Sequence, residues 1–241
     1  MQCRMPQSSP EISRTPPLRP TAMPKTNLRT EYTRATLEES GAGADPVELF
    51  QRWFDEAVRA GGREPNAMSL ATCGADGQPN LRIVLCKEFD REGFVFYTNY
   101  LSSKGRELAQ NPLACLLFYW AELERQVRIS GPVSRVSASE SDAYFSQRPL
   151  AARIGAWASP QSEAIAGRED LEQRMAEAER RFAGSASPQR PPHWGGYRLR
   201  PTAFEFWQGR PSRLHDRLRY WRASGEPAAE AAGWRRERLA P

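Results

Sequence analysis

Residues 67–99 read AMSLATCGADGQPNLRIVLCKEFDREGFVFYTN, and three strand-like runs, 67–73, 80–87 and 93–99, stand in it end to end. The breaks between them, Ala75-Asp76-Gly77 and Asp90-Arg91-Glu92-Gly93, have the Asp and Gly content that closes hairpins. Loops this short join antiparallel neighbours, because a parallel pair needs a crossover of about a dozen residues or more. Two further runs, 113–120 and 125–136, follow directly, and two more, 196–207 and 217–221, come after helical segments at 139–148 and 168–182. Consecutive short strands with few helices between them predict a mainly β antiparallel barrel with flanking helices, and they argue against a doubly wound parallel sheet. No G-x-G-x-x-G follows a strand and no internal repeat is evident.

Ahead of the strands, Val47, Leu49, Phe50, Trp53, Phe54, Ala57 and Val58 recur at helical spacing, with Asp45 as N-cap, Pro46 at N1 and Gly61-Gly62 as the stop. This stripe is expected to pack on the core. Residues 1–26 carry six prolines and few apolar side chains, which predicts a disordered tail, either dispensable or preceding a true start at Met23. The remaining 27–241 is expected to be one domain, since 241 residues suffice for one sizeable core. Stretches 184–192 and 223–233 are Pro- and Gly-rich and predict loops.

The net charge is +5, but Arg4, Arg14, Arg19 and Lys25 against Glu11 place most of it in the tail. A concentrated basic surface for nucleic acid is therefore not expected. No apolar stretch is long enough for a membrane span, and a cytoplasmic protein is expected. Cys3, Cys73, Cys86 and Cys115 lack metal-ligand spacing with His193 or His215, so reduced thiols without metal are expected.

Several clusters carry polar chemistry. In 206–217, FWQGRPSRLHDR, an extended backbone would put Arg213, His215 and Arg217 on one face, as a ligand surface or as a solvated basic strand. Arg82 and Lys87 bracket an apolar strand and, five residues apart, would point to opposite faces. Ser102, Ser103 and Lys104 stand where a short helix begins, either as ordinary capping or as a phosphate seat at the helix dipole's positive end. In a helix opened by Ser139, with Asp142 at N3 and ended by Pro149, Tyr144 and Arg148 lie one turn apart. That pair is either a phosphate clamp or a Tyr stacked under a surface Arg.

The wording of these blocks resembles one family. W-Q-G-x-x-x-R-L-H-D-R with the chain end W-R-R-E-R-L-A-P, R-I-V-L-C-K at 82–87, and Y-F-x-x-R-P-x-x-x-x-I-G-A-W-A-S-x-Q-S at 144–162 are similar to the pyridoxamine 5′-phosphate oxidases. The resemblance implies an FMN-binding split β-barrel, a homodimer with flavin at its interface, and oxidation of pyridoxamine or pyridoxine 5′-phosphate by O₂ to pyridoxal 5′-phosphate with release of H₂O₂. It implies flavin contacts at Arg82, Ile83, Val84, Leu85, Cys86, Lys87, Tyr97, Thr98, Lys104, Gln126, Gln161, Ser162, Trp207 and Arg217. Substrate contacts are implied at Lys87, Tyr144, Arg148, Arg213, Leu214 and His215, with Arg213 and His215 catalytic and with Arg29 and Tyr32 on a segment that folds over the substrate. Two positions depart from the family pattern: Ser103 stands where an Arg is usual, and Ala152 where a Ser contacts substrate. Alternatives are a sister FMN oxidase of the phenazine-biosynthesis type and a non-catalytic carrier of flavin or pyridoxal phosphate.

Overall fold

Both Asp-Gly breaks fold as tight turns. Asp76 accepts from the backbone N–H of Gln78 at 3.1 Å, and Asp90 accepts from those of Glu92 and Gly93 at 2.8 and 2.9 Å. A short carboxylate capping the N–H groups two or three residues on reverses the chain without help from the ladder. The computed structural model describes residues 31–184, 188–222 and 233–241. The tail, Arg29, and residues 185–187 and 223–232 of the predicted loops at 184–192 and 223–233 lie outside the described residues.

In chain order the elements are α1 (Glu39–Ala42), α2 (Pro46–Arg59), β1 (Ala67–Cys73), β2 (Pro79–Leu85), β3 (Glu88–Asp90), β4 (Gly93–Asn99), α3 (Ser103–Gln110), β5 (Leu113–Trp120) and β6 (Arg125–Arg135). They continue with α4 (Ala138–Gln147), α5 (Leu150–Ala158), α6 (Arg168–Arg181), β7 (Trp194–Leu199), β8 (Ala203–Gln208), β9 (Asp216–Trp221) and β10 (Arg235–Arg238). All strand pairs are antiparallel. The main path runs β10-β9-β8-β6-β5-β1-β2, and a branch β3-β4-β7 joins at the far end of β6. The result is a curled antiparallel sheet, a half-barrel with flanking helices, as the strand pattern predicts.

Helix α2 plugs the curl. Asp45 caps it, accepting from the Val47 N–H at 2.8 Å, and also receives Arg91 Nε at 3.0 Å, which ties the helix to the β3–β4 turn. Phe50 is fully buried, with its ring 4.9 Å from Phe89 and Phe94 and 5.0 Å from Phe118. These are edge-to-face pairs, in which the positive rim of one ring meets the negative face of another.

The predicted boundaries need four corrections. The run 196–207 is two strands, β7 and β8, broken around Pro201. The run 80–87 ends at Leu85, and β3 follows as a separate short strand. Ser137, not Ser139, caps α4, its hydroxyl accepting from the Glu140 N–H at 3.1 Å, which makes Glu140 rather than Asp142 the N3 residue. The segment 213–217 is not extended: Pro211–Arg213 form a 3-10 turn, Ser212 and Arg213 have φ of 56° and 64°, and β9 begins only at Asp216. Helix α5 and strand β10 are additional elements.

Removing the ring at the centre of the plug should leave a cavity that the sheet cannot fill. Phe50→Ala is expected to lower unfolding stability by about 3–5 kcal/mol in chemical denaturation. A loss below about 1 kcal/mol would show that α2 is not part of the cooperative core.

Candidate active site

The curl brings the edge strand β2 and the branch strand β4 to opposite sides of a cleft of about 870 Å³, closed by α3, α4 and α5. Of the predicted residues, Arg82, Ile83, Val84, Leu85 and Lys87 line it from β2 and just beyond, and Tyr97 and Thr98 from β4. Lys104, Tyr144, Arg148 and Gln161 complete that set. Arg82 and Lys87 therefore share one cleft instead of opposing faces, because the strand stops at Leu85 and period-two alternation ends with it. Cys86 turns into the core, where burial pushes its thiol up to about 12. It is no part of the cleft surface.

Three aromatic planes organise the substrate-clamp residues. Tyr97 stacks on Tyr144 with centroids 3.9 Å apart, Trp194 lies parallel to both, and the Arg148 guanidinium sits 4.6 Å over the Trp194 ring. Arg148 is the C-cap residue of α4, one step past the last helical turn. The aromatic partner beneath Arg148 is thus Trp194, with Phe145 further away at 5.7 Å, while Tyr144 belongs to a stack with Tyr97. Trp194 is a cleft residue that no local motif announces, since its partners lie on β4 and α4.

The polar atoms here are short of protein partners. Arg148 Nη1 and the Tyr97 hydroxyl are buried without a hydrogen bond among the described residues. Burial lowers the Arg148 pKa, so an anion beside it would relieve the cost of its charge, and burial raises that of Tyr97, which is a neutral phenol at physiological pH. Lys104 is 7% exposed, and among the described residues its ammonium meets neutral acceptors alone: Thr98 Oγ1 and Ser102 Oγ at 3.3 Å and Gln161 Oε1 at 3.5 Å. Burial first, then the Arg82 charge, lowers its pKa. A buried guanidinium N–H without an acceptor and a buried ammonium without a counter-charge cost several kcal/mol unless an anion joins them. Phosphate groups, such as those of FMN and a phosphorylated substrate, fit that donor set.

The other predicted residues gather elsewhere. Gln126, Trp207 and Arg217 stand directly opposite one another on β6, β8 and β9, so their side chains form a row across one face of the sheet. None of them lines the cleft. The buried Glu205 carboxylate grips Arg217 with two contacts, Nε at 2.8 Å and Nη2 at 2.7 Å. His215 packs on Trp207 at 4.6 Å, and Tyr32 meets both rings edge-on at 5.7 Å. Gly209 permits that approach, since a Cβ there would fall 2.7 Å from the Tyr32 ring. Leu214 is exposed beside them, as is Arg213. Ser162 is exposed in a turn with φ of 72°, adjacent to Gln161 but outside the cleft lining.

The His215 ring has a defined proton position. The Arg210 backbone N–H donates to Nδ1 at 3.1 Å, which leaves the proton of the neutral ring on Nε2. Desolvation, and then the Arg213 charge, lowers its pKa.

A curled antiparallel half-barrel with a cation-lined cleft defines the class of FMN-binding split-barrel proteins. A pyridoxamine 5′-phosphate oxidase-related FMN-binding protein from Nostoc punctiforme superposes with a TM-score of 0.62 at 19% identity, covering 80% of this chain and 97% of that one, a likeness of fold alone. PhzG from Burkholderia lata, solved with tetrahydrophenazine-1-carboxylic acid, superposes with a TM-score of 0.78 at 34% identity, over 88% of this chain and all of that one. Residues 54–182 match the family model for pyridoxamine 5′-phosphate oxidase, and 194–241 that for the pyridoxine 5′-phosphate oxidase C-terminal dimerisation region. Pyridoxine/pyridoxamine 5′-phosphate oxidase of Rubrobacter xylanophilus is 60% identical over 89% of this chain and 95% of its own length, and that of Pseudomonas paraeruginosa 57% over 89% and 97%. The chain belongs to the pyridoxamine 5′-phosphate oxidase family.

A histidine with a depressed folded-state pKa adds stability above its unfolded pKa, and that contribution is lost as pH falls through the folded value. An NMR titration of the His215 ring should therefore give a midpoint below the ordinary histidine value. A midpoint above neutral pH would mean that the ring is largely a cation there and would undo the neutral Nε2–H assignment.

Proposed function

We propose that the chain works as an FMN-dependent oxidase converting pyridoxine 5′-phosphate and O₂ to pyridoxal 5′-phosphate and H₂O₂, or pyridoxamine 5′-phosphate, O₂ and water to the same aldehyde, ammonia and H₂O₂. The observation that carries the substrate assignment is the half-buried Arg148 guanidinium above Trp194, whose Nη1 is buried without a hydrogen bond among the described residues. Identities of 57–60% to pyridoxine/pyridoxamine 5′-phosphate oxidases, against 34% to PhzG, favour this reading over the phenazine type.

Lys104 and Arg82 would hold the flavin phosphate, with Thr98, Tyr97 and Gln161 beside it. Lys87, Tyr144 and Arg148 would hold the substrate phosphate, Arg148 as a two-pronged donor and Tyr144 as a single one. FMN held there would supply the redox chemistry, a two-electron oxidation at substrate C4′ with O₂ as the final acceptor. The protein's share is orientation: a phosphate fixed at one end leaves the reacting carbon little freedom. Arg213 and the Nε2–H of His215 would meet the substrate ring with a permanent cation and a neutral donor. Both act more strongly where water is excluded, a cover that Tyr32 would supply. Ala152, on α5, can offer no hydroxyl, which leaves the phosphate clamp the larger share of substrate affinity.

Among the described residues that line the cleft, none belongs to the Gln126–Trp207–Arg217 row, and the C-terminal match is to a dimerisation region. We place the row of one protomer over the cleft of its partner in a homodimer. Leu81 and Ile83 on β2 and Tyr119 on β5, exposed by 69%, 65% and 56%, supply apolar surface for such an interface. No described helix is long and apolar enough to cross a membrane, and a cytoplasmic location accords with the supply of phosphorylated substrate.

The purified protein should show flavin bands in its visible spectrum and, given pyridoxine 5′-phosphate in air, should release H₂O₂ and aldehyde in equal amounts. Flavin bands without turnover would point to a carrier or a sister oxidase, and failure to take up added FMN would defeat the reading. Arg148→Ala should raise KM for pyridoxine 5′-phosphate about ten- to a hundredfold, the worth of a charged hydrogen bond, with flavin content unchanged. An unchanged KM would remove Arg148 from the clamp.

A further inference from the structure

Glu107, on α3, is the one acidic side chain joined to the cations of the cleft among the described contacts, and no family motif quoted above includes it. Its side chain is 13% exposed, and Oε2 accepts from Arg82 Nη2 at 3.2 Å and from the Thr72 hydroxyl. Oε1 accepts from Asn80 Nδ2 at 2.9 Å. Arg82 and Lys104 line the same cleft; burial first, and then the Arg82 charge, depresses the Lys104 pKa, and Glu107 opposes that effect. Ser103 precedes Lys104, so the third cation of the family pattern is missing.

We infer that Glu107 sets how tightly the flavin phosphate is held, by sharing the Arg82 guanidinium with it. This rests on the flavin reading above. A phosphate dianion approaching Arg82 meets a cation already paired with a carboxylate, and it is repelled by that carboxylate across a partly desolvated space. Glu107 does not touch the phosphate in this scheme; it is a positioning and charge-tuning residue. Its negative charge is not needed to keep Arg82 in place, because Nη1 also donates to the Leu70 and Asn80 carbonyls at 3.2 and 3.4 Å and to the Thr72 hydroxyl. Glutamine at 107 retains an acceptor for Arg82 and removes only the charge, and rotation of the Asn80 amide can satisfy the new NH₂ group. The cleft then presents an uncompensated Arg82 to the phosphate.

The test compares two flavins that differ by the phosphate alone. The full-length protein and Glu107→Gln are freed of bound flavin and titrated with FMN and with riboflavin, following flavin fluorescence at fixed pH over a range of salt. The expected result is that Glu107→Gln binds FMN about tenfold more tightly, with a steeper loss of affinity as salt rises, while riboflavin affinity stays within about twofold of the unsubstituted protein. Glu107→Ala, which removes the same charge without a new amide, should shift FMN in the same direction. Equal shifts for both flavins would show a merely structural role and overturn the inference. Weaker FMN binding in both variants would overturn it too, since Glu107 would then anchor Arg82 more than it competes for it. Unchanged FMN binding in the variants, with normal uptake by the unsubstituted protein, would sink this inference and leave the flavin reading standing. Failure of the unsubstituted protein to bind FMN would sink both.

Discussion

Strand β6 changes partners at Gly131, and the cleft exists because it does. Along one edge β6 pairs with β5 from Arg125 to Pro132 without a break. Along the other it pairs with β8 through Ser130 and with β7 from Val133. At the junction the Arg200 carbonyl approaches so closely that a Cβ on residue 131 would lie 1.9 Å from its oxygen, so no other residue fits without backbone movement. The fork sends β7, and with it β4 and β3, away from the plane of β8 and β9. Tyr97 and Thr98 on the branch consequently face Arg82 on the far edge of the main path, and the space between is the cleft. The aromatic plug under α2 fills the inside of the same curl, so core and cleft are two products of one bend.

That bend also marks the limit of what the chain discloses when read linearly. Strands β1, β2, β4, β5 and β6 are legible because their signals are local: alternating or continuous apolar runs between Asp- and Gly-containing turns. Pro201, which lacks the N–H that a ladder needs, is a local signal too, and it separates β7 from β8 inside a run that otherwise looks continuous. Pro211 marks the 3-10 turn that keeps Arg213 off the face shared by a strand. The positive φ at Ser212 and Arg213 has no such marker, for neither residue type is favoured there. Motif wording located Arg82, Lys104, Tyr144, Arg148, Trp207, Arg217 and His215, whereas Trp194, Glu205 and Glu107 emerge only when distant segments meet. Trp194 joins Tyr97 and Tyr144 across separations that no periodicity encodes.

The two clusters differ most in how their cations are neutralised, and the difference follows from which side of the sheet they occupy. In the row on β6, β8 and β9, Glu205 pins Arg217 and also reaches Arg128, while Asp216 takes Arg210 and Arg238 at 3.1 and 2.8 Å together with the Leu37 N–H. Those carboxylates make a rigid plate that joins the residues before α1, the turn carrying His215, and the chain end. Half-buried guanidiniums already held by carboxylates, as Arg210 and Arg217 are, lose little entropy when they meet a ligand, because it has already been lost in folding. In the cleft, Lys104 and Arg148 have no such carboxylate among the described residues, and Arg82 has one in Glu107. A plate of satisfied charges orients rings and edges, whereas a cleft of unsatisfied ones attracts anions. Each chain carries one of each, and one bend in the sheet both builds the two clusters and keeps them apart.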